Sequence, residues 1–262
     1  MTNTNCLNCG KVLTDKFCSG CGQKADTHRI TFKNFIFHDV LHGTFHLDRG
    51  ILFTAKQALT RPGQAALDYI AGKRKPFYNV FYLILITIGL MLFTRHIGDS
   101  LNNQDETITQ SKEYINEASR KIDELFDQKN KIIIFLFVPF AALNSFILFK
   151  RKKLNLSEHA IIAGMILLGV LLISTFSNIL FWFKPIQYIG LVISLLIIAL
   201  ILFYICFGYF NAFGEEYSKL GITYRIALFF LLIGIEILIL TWILVGFVTN
   251  WKFGEIQITP FG

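Results

Sequence analysis

The chain has 262 residues, of which 53% are hydrophobic and 16% charged, and its formal net charge is +7. This composition is too apolar for a soluble domain of that length, and the apolar residues form runs of about 20, the length of an α-helix that crosses a bilayer. The basic residues lie beside these runs, where the positive-inside rule and anionic lipid account for them. We therefore expect a membrane partner and no nucleic-acid partner.

The order of the elements predicts an all-α polytopic membrane protein with three parts. A small four-Cys zinc ribbon (1–24) comes first, and amphipathic juxtamembrane helices (25–76) follow it. A bundle of about five transmembrane helices (77–262) forms the rest, because a helix satisfies its own backbone groups in lipid.

The N-terminal ribbon is predicted from two Cys-x-x-Cys pairs, each followed by glycine. Zn²⁺ binds four thiolates tetrahedrally, and each pair aims two sulfurs at one ion. The expected ligands are Cys6, Cys9, Cys18 and Cys21. The remaining cysteine, Cys206, lies alone in an apolar run, so metal binding is favoured over a disulfide framework. Gly10 and Gly22 stand where such a turn needs positive φ.

We expect one structural zinc ion in this ribbon. Four protein ligands leave no open position for a substrate, which excludes a catalytic metal centre. Two chance pairs or redox turns are the alternative. Whether the ribbon serves as a fold staple or as a docking head stays open from the sequence.

Residues 25–76 contain a second, weaker metal-site candidate. Three histidines follow one another at four-residue intervals, and Asp39 lies among them; they are His38, His42 and His46. Gly43 interrupts the pattern, so interfacial polar residues are the favoured alternative. An amphipathic helix is predicted over 47–59, and a helix break at Arg61-Pro62-Gly63 separates it from a short helix over 64–71.

Several motifs in this region resemble a family of bacterial membrane proteins catalogued as a domain of unknown function. The motifs are Cys-x-Asn-Cys-Gly and Cys-x-x-Cys-Gly-Gln, then Leu47-Asp48-Arg49-Gly50, Arg61-Pro62-Gly63 and Asp68-Tyr69-Ile70-x-Gly72-Lys73-Arg74. The resemblance covers about residues 5–95. It implies an inner-membrane location and a zinc ribbon, and it implies no activity.

Five apolar runs are predicted to cross the membrane, at about residues 77–94, 131–149, 159–182, 186–210 and 225–249. An extracytoplasmic amphipathic helix is expected within 95–130. The excess of Lys and Arg on one side places the N-terminus in the cytoplasm and the C-terminus outside.

Two basic clusters flank the spans and are candidates for contact with lipid headgroups or a partner. They are Lys73, Arg74 and Lys75, and Arg151, Lys152 and Lys153. A role as topology determinants is the favoured alternative for the first cluster. The acidic pair Glu215 and Glu216 beside Tyr217 is expected in a solvated loop.

Glu236 is the one acid deep inside a predicted span, and an intramembrane carboxyl must be protonated, paired or hydrated. A proton or substrate pathway is one interpretation. The favoured alternative is a neutral carboxyl that hydrogen-bonds another helix, at Thr87, Asn144 or Thr175.

The sequence contains no catalytic constellation, so we expect no enzymatic activity. We predict an accessory or scaffold subunit of a bacterial inner-membrane protein complex, with protein translocation or secretion as one host. It would contact other subunits through its cytoplasmic ribbon. The main alternative is a transporter or lipid-handling protein that uses Glu236, and a third hypothesis is an enzyme with a second metal at the histidines.

Overall fold

The computed structural model describes residues 5–25, 27, 50–102, 136–183, 186, 188–249 and 251. Within these residues the chain forms seven α-helices and no strands, which confirms the all-α prediction. The helices are α1 (Gly50–Thr60), α2 (Pro62–Ile70), α3 (Val80–Asn102), α4 (Leu136–Leu148), α5 (Leu156–Leu180), α6 (Gly190–Phe213) and α7 (Lys219–Thr249). Of the loop predicted to hold a helix (95–130), residues 95–102 continue α3, and residues 103–130 lie outside the described residues, as do the three histidines.

Four of the described helices, α3, α5, α6 and α7, are long and apolar enough to cross a membrane. They overlap four of the predicted spans. The first begins later than predicted, because Asn79 caps it: the Asn79 Oδ1 atom accepts hydrogen bonds from the backbone N–H groups of Phe81 and Tyr82, at 3.0 and 3.3 Å. The predicted span at 131–149 overlaps α4, whose described part is shorter than a span.

Helix α5 is the centre of the bundle. It is mostly buried and packs against α1, α2, α3 and α6. Its first turn is closed by a capping box: the Asn155 side chain accepts from the Glu158 N–H, and the Glu158 carboxylate accepts from the Asn155 N–H at 2.8 Å. These bonds satisfy backbone donors that a buried helix start would otherwise leave without partners.

Helices α3 and α5 run parallel. Near their starts, a β-carbon at Gly164 would lie 3.4 Å from the Phe81 ring. Near their ends, the Trp182 indole N–H donates to the Thr94 carbonyl at 3.0 Å. Both helices therefore point in the same direction through the bundle.

Helix α2 packs its N-terminal turn directly on the backbone of α6. It begins at Pro62, so the predicted break is confined to Arg61, and the helix starts earlier than expected because proline is well suited to a first helical position. A side chain at Gly63 would collide with the backbone of Ala212. The Gln64 N–H donates to Asn211 Oδ1 at 2.9 Å. This bond joins two helices that are far apart in the sequence.

Among the described residues, many polar contacts lie at one end of the bundle, which we call the ribbon end. It contains the Cys-rich module, the loop 71–79, the segment 149–155 and the segment 214–218. Helices α6 and α7 present large apolar side chains outward along most of their length, as helices in contact with lipid do.

Candidate metal centre and its docking on the helices

The four N-terminal cysteines lie close enough together to bind one metal ion. Their Sγ atoms all lie within 4.8 Å of one another. The Cys6–Cys21 and Cys9–Cys18 sulfur pairs are 3.6 and 3.5 Å apart. A tetrahedral ion with bonds of about 2.3 Å to sulfur places its ligands about 3.8 Å apart, so this spacing suits such an ion.

Each Cys-x-x-Cys pair forms the same turn. The Gly10 N–H donates to the Cys6 carbonyl and the Gly22 N–H to the Cys18 carbonyl, both at 2.8 Å. The φ angles of the two glycines are 75° and 72°, in agreement with the prediction from sequence. Single antiparallel bridges close the two turns, between Asn5 and Val12 and between Phe17 and Lys24. The module is therefore two equivalent halves around one cluster of sulfurs.

Local hydrogen bonds prepare two of the thiols to become thiolates. The pKa of Cys21 is lowered to about 6, because the Asn8 side chain and the Gln23 backbone donate to its sulfur. The pKa of Cys18 is lowered by the backbone N–H groups of Cys21 and Gly20.

Cys9 behaves in the opposite way. The Lys11 backbone lowers its pKa, but the sulfurs of Cys18 and Cys21 outweigh that effect and raise it to about 12. Crowded sulfurs cannot all ionise without a cation between them, and a bound metal ion would remove this obstacle.

Gln23 attaches the module to the helices. Its side chain is 5% exposed and makes three hydrogen bonds to the loop before α3. The amide Nε2 donates to the Gly72 carbonyl at 2.8 Å, and the Oε1 atom accepts from the N–H groups of Arg74 and Lys75, each at 3.2 Å. The Leu7 side chain covers Gly72, whose φ is 100°.

The loop that receives Gln23 is itself fixed to α1 and α2. Lys73 Nζ lies 2.8 Å from Asp68 Oδ1, and Arg61 lies 3.2 Å from Asp68 Oδ2. The Arg74 guanidinium lies 5.4 Å from the centre of the Tyr69 ring. Two of the three basic residues considered for headgroup or partner contact are thus engaged inside the chain. The third, Lys75, lies beside Gly22.

Glu236 is half-buried on α7 and accepts a hydrogen bond from Asn144 Nδ2 on α4 at 2.9 Å. Asn144 is one of the three partners considered from the sequence. The other two are engaged within their own helices: Thr87 donates to the Leu83 carbonyl and Thr175 to the Leu171 carbonyl.

The second basic cluster packs against the segment before α7. The Arg151 Nη1 group donates to the Glu216 carbonyl at 2.7 Å, and Lys152 Nζ lies 3.9 Å from the Glu216 carboxylate. Glu215 is exposed and the Glu216 side chain is 38% exposed, in line with a solvated acidic pair. Tyr217 beside them is buried, because residues distant in sequence pack against it.

Sequence reasoning also missed a buried polar pair at the ribbon end. Ser145 Oγ on α4 and His159 Nδ1 on α5 lie 2.8 Å apart, and both side chains are inaccessible to solvent. The only available signal was a histidine in the polar first turn of an apolar helix.

These features define a multi-helix membrane-type protein with a four-cysteine head attached beside its first long apolar helix. Residues 48–92 match the model of a family described as "Protein of unknown function (DUF3667)". The matched stretch covers α1, α2, the loop that receives Gln23 and the first half of α3, and it supports the resemblance to an uncharacterised family. No curated protein and no solved structure matches the chain.

Proposed function

We propose that this protein is a non-enzymatic accessory or scaffold subunit of a protein complex in the bacterial inner membrane. Its ribbon holds one structural zinc ion and binds another subunit. Two features of the ribbon together support this proposal most directly. Gln23 fixes the ribbon to the bundle, and Val12 and Phe17, one on each half of the ribbon, are 63% and 59% exposed. Protein translocation or secretion is one kind of complex that such a subunit fits.

The exposed side chains favour a docking role over a purely structural one. A module this small cannot bury a core of its own, so a metal ion must stabilise it. Large apolar side chains left on the outside of a fixed module are typical of protein–protein contacts.

Five membrane spans are part of the proposal. If parallel α3 and α5 both cross the membrane, the chain between them must return across it. Residues 103–155 contain one apolar segment suited to that crossing, and α4 is its described part. A five-span chain with the ribbon in the reducing cytoplasm places the C-terminus outside.

The proposed docking role is tested with a photo-crosslinking residue at Phe17 in the full-length protein in cells. The matched control places it at Leu52, which is 81% exposed on α1. We expect a specific cross-linked protein from position 17, lost in a Val12→Ala variant. A chain that purifies from mild detergent as a monomer, with no product from position 17, would contradict the proposal. Metal analysis should give one zinc per chain, lost in Cys18→Ser.

A transporter that uses Glu236 is the second candidate, favoured by the half-buried carboxyl bonded to Asn144 between two helices. Glu236→Gln keeps a hydrogen-bond acceptor and removes the titratable proton. If growth or transport phenotypes survive this change but not Cys18→Ser, the transporter hypothesis fails.

A further inference from the structure

The aromatic ring of Tyr217 brings two arginines together at the ribbon end. The guanidinium carbons of Arg151 and Arg225 lie 4.7 and 4.3 Å from the ring centre. The Tyr217 hydroxyl also accepts from the Arg151 backbone N–H at 3.1 Å, which fixes the ring. Two cations therefore share one buried aromatic side chain.

Neither guanidinium has a carboxylate partner in the part of the chain that the structure describes. Arg225 donates to the Leu148 and Gly221 carbonyls, at 3.1 and 2.8 Å, and Arg151 donates to the Glu216 carbonyl. These are neutral acceptors. The ring face attracts both cations but carries no net charge, so positive charge is left over here.

The surrounding charges do not remove this excess. The Glu216 carboxylate lies 3.9 Å from Lys152 Nζ, and Glu158 is buried in the capping box of α5. This contrasts with the first basic cluster, where Lys73 shares the Asp68 carboxylate with the neighbouring Arg61. The contacts among the described residues use two N–H donors of the Arg225 guanidinium and one of the Arg151 guanidinium, and a phosphate group suits their planar fork.

Exposed apolar groups lie on the same first turns of α7 as Arg225. Leu220 is 85% exposed and Tyr224 is 59% exposed, both in the first turns of α7. The Tyr224 ring also lies 5.9 Å from the Arg225 guanidinium carbon. Apolar side chains next to cations, at the end of a spanning helix, suit a ligand with an anionic head and hydrocarbon chains.

We propose that Arg151, Tyr217 and Arg225 form a binding site for the phosphate of an anionic glycerophospholipid. Its acyl chains lie along Leu220 and Tyr224. The site would join the ends of α4 and α7 at the membrane surface.

Native mass spectrometry of the full chain, released from detergent with added diacyl phosphatidylglycerol, tests the proposal. Phosphatidylcholine of the same chain length provides the neutral comparison. We expect retained phosphatidylglycerol to exceed phosphatidylcholine, and an Arg151→Gln/Arg225→Gln variant to retain about 30-fold less phosphatidylglycerol. The matched control, Lys11→Gln/Lys16→Gln, removes the same charge from the ribbon and should bind as the parent chain does.

Two further measurements separate lipid binding from loss of folding and from binding of free phosphate. Arg151→Gln alone leaves the Arg225 bond to the Leu148 carbonyl of α4 intact, so it should fold normally and still lose several-fold of the lipid. Inorganic phosphate at millimolar concentration is the third arm. Equal retention of the two lipids, unchanged binding in the folded Arg151→Gln variant, or complete displacement by inorganic phosphate would each overturn the lipid assignment.

Discussion

Replacing Gln23 by alanine is expected to release the ribbon from the helices. The change removes all three hydrogen bonds to Gly72, Arg74 and Lys75, in a place where the Gln23 side chain is almost fully buried. A hydrogen bond contributes about 1 kcal/mol net, so docking should weaken by about 3 kcal/mol. That loss raises the undocked population about 100-fold.

Limited trypsin digestion measures this population directly. The peptide bonds after Lys73 and Arg74 lie in the loop that Gln23 holds, and cleavage follows the open fraction when opening is faster than cutting. The matched control is Lys11→Ala, because Lys11 occupies the position equivalent to Gln23 in the first half of the ribbon. We expect cleavage in Gln23→Ala to be about 100-fold faster than in the parent chain and in the control.

If Gln23→Ala retains its metal and is cut after Lys73 and Arg74 at the parent rate, the amide does not hold the ribbon on the loop.

Three other changes follow from the same contacts. Removal of the metal with a strong chelator should accelerate the same cleavage in the parent chain but add little in Gln23→Ala, and additive effects would show that metal and amide act separately. Gly63→Ala should destabilise the protein by about 1–3 kcal/mol in thermal unfolding, because the added carbon meets the Ala212 backbone. Gly89→Ala has open space at that carbon and is its control; equal losses in both variants would contradict the packing argument. Glu236→Leu should lower the unfolding free energy by about 1 kcal/mol through loss of the Asn144 bond, while Glu236→Gln should not, and a double-mutant cycle with Asn144→Leu measures the coupling.

Local chemistry made parts of this structure predictable. The positive φ of Gly10 and Gly22 follows from the Cys-x-x-Cys-Gly turn alone, and the four long helices follow from hydropathy. Asn144 could be named as a partner of Glu236 because few polar side chains are available inside an apolar bundle.

The contacts that give the protein its arrangement could not be read from local patterns. The role of Gln23 could not be predicted from the Cys-Gly motif that precedes it, because its hydrogen-bond partners lie about 50 residues later in the sequence. Gly63 was interpreted as part of a helix break, but it lies inside α2. A glycine is needed there because the α6 backbone leaves no room for a side chain. Tyr217 joins Arg151 and Arg225 only after three helices have assembled.

The contact between Gln23 and the loop before α3 also bears on the order in which the protein is made. Every residue of that contact precedes the first long apolar helix in the chain, whereas α2 needs Asn211 and Ala212 of α6 for its packing. Because domains fold from the N-terminus during synthesis, the ribbon, with the metal ion proposed for it, can close on the loop before any later helix reaches the bilayer. In that order of events the head would be folded before the helices insert, and the bundle would then assemble against it.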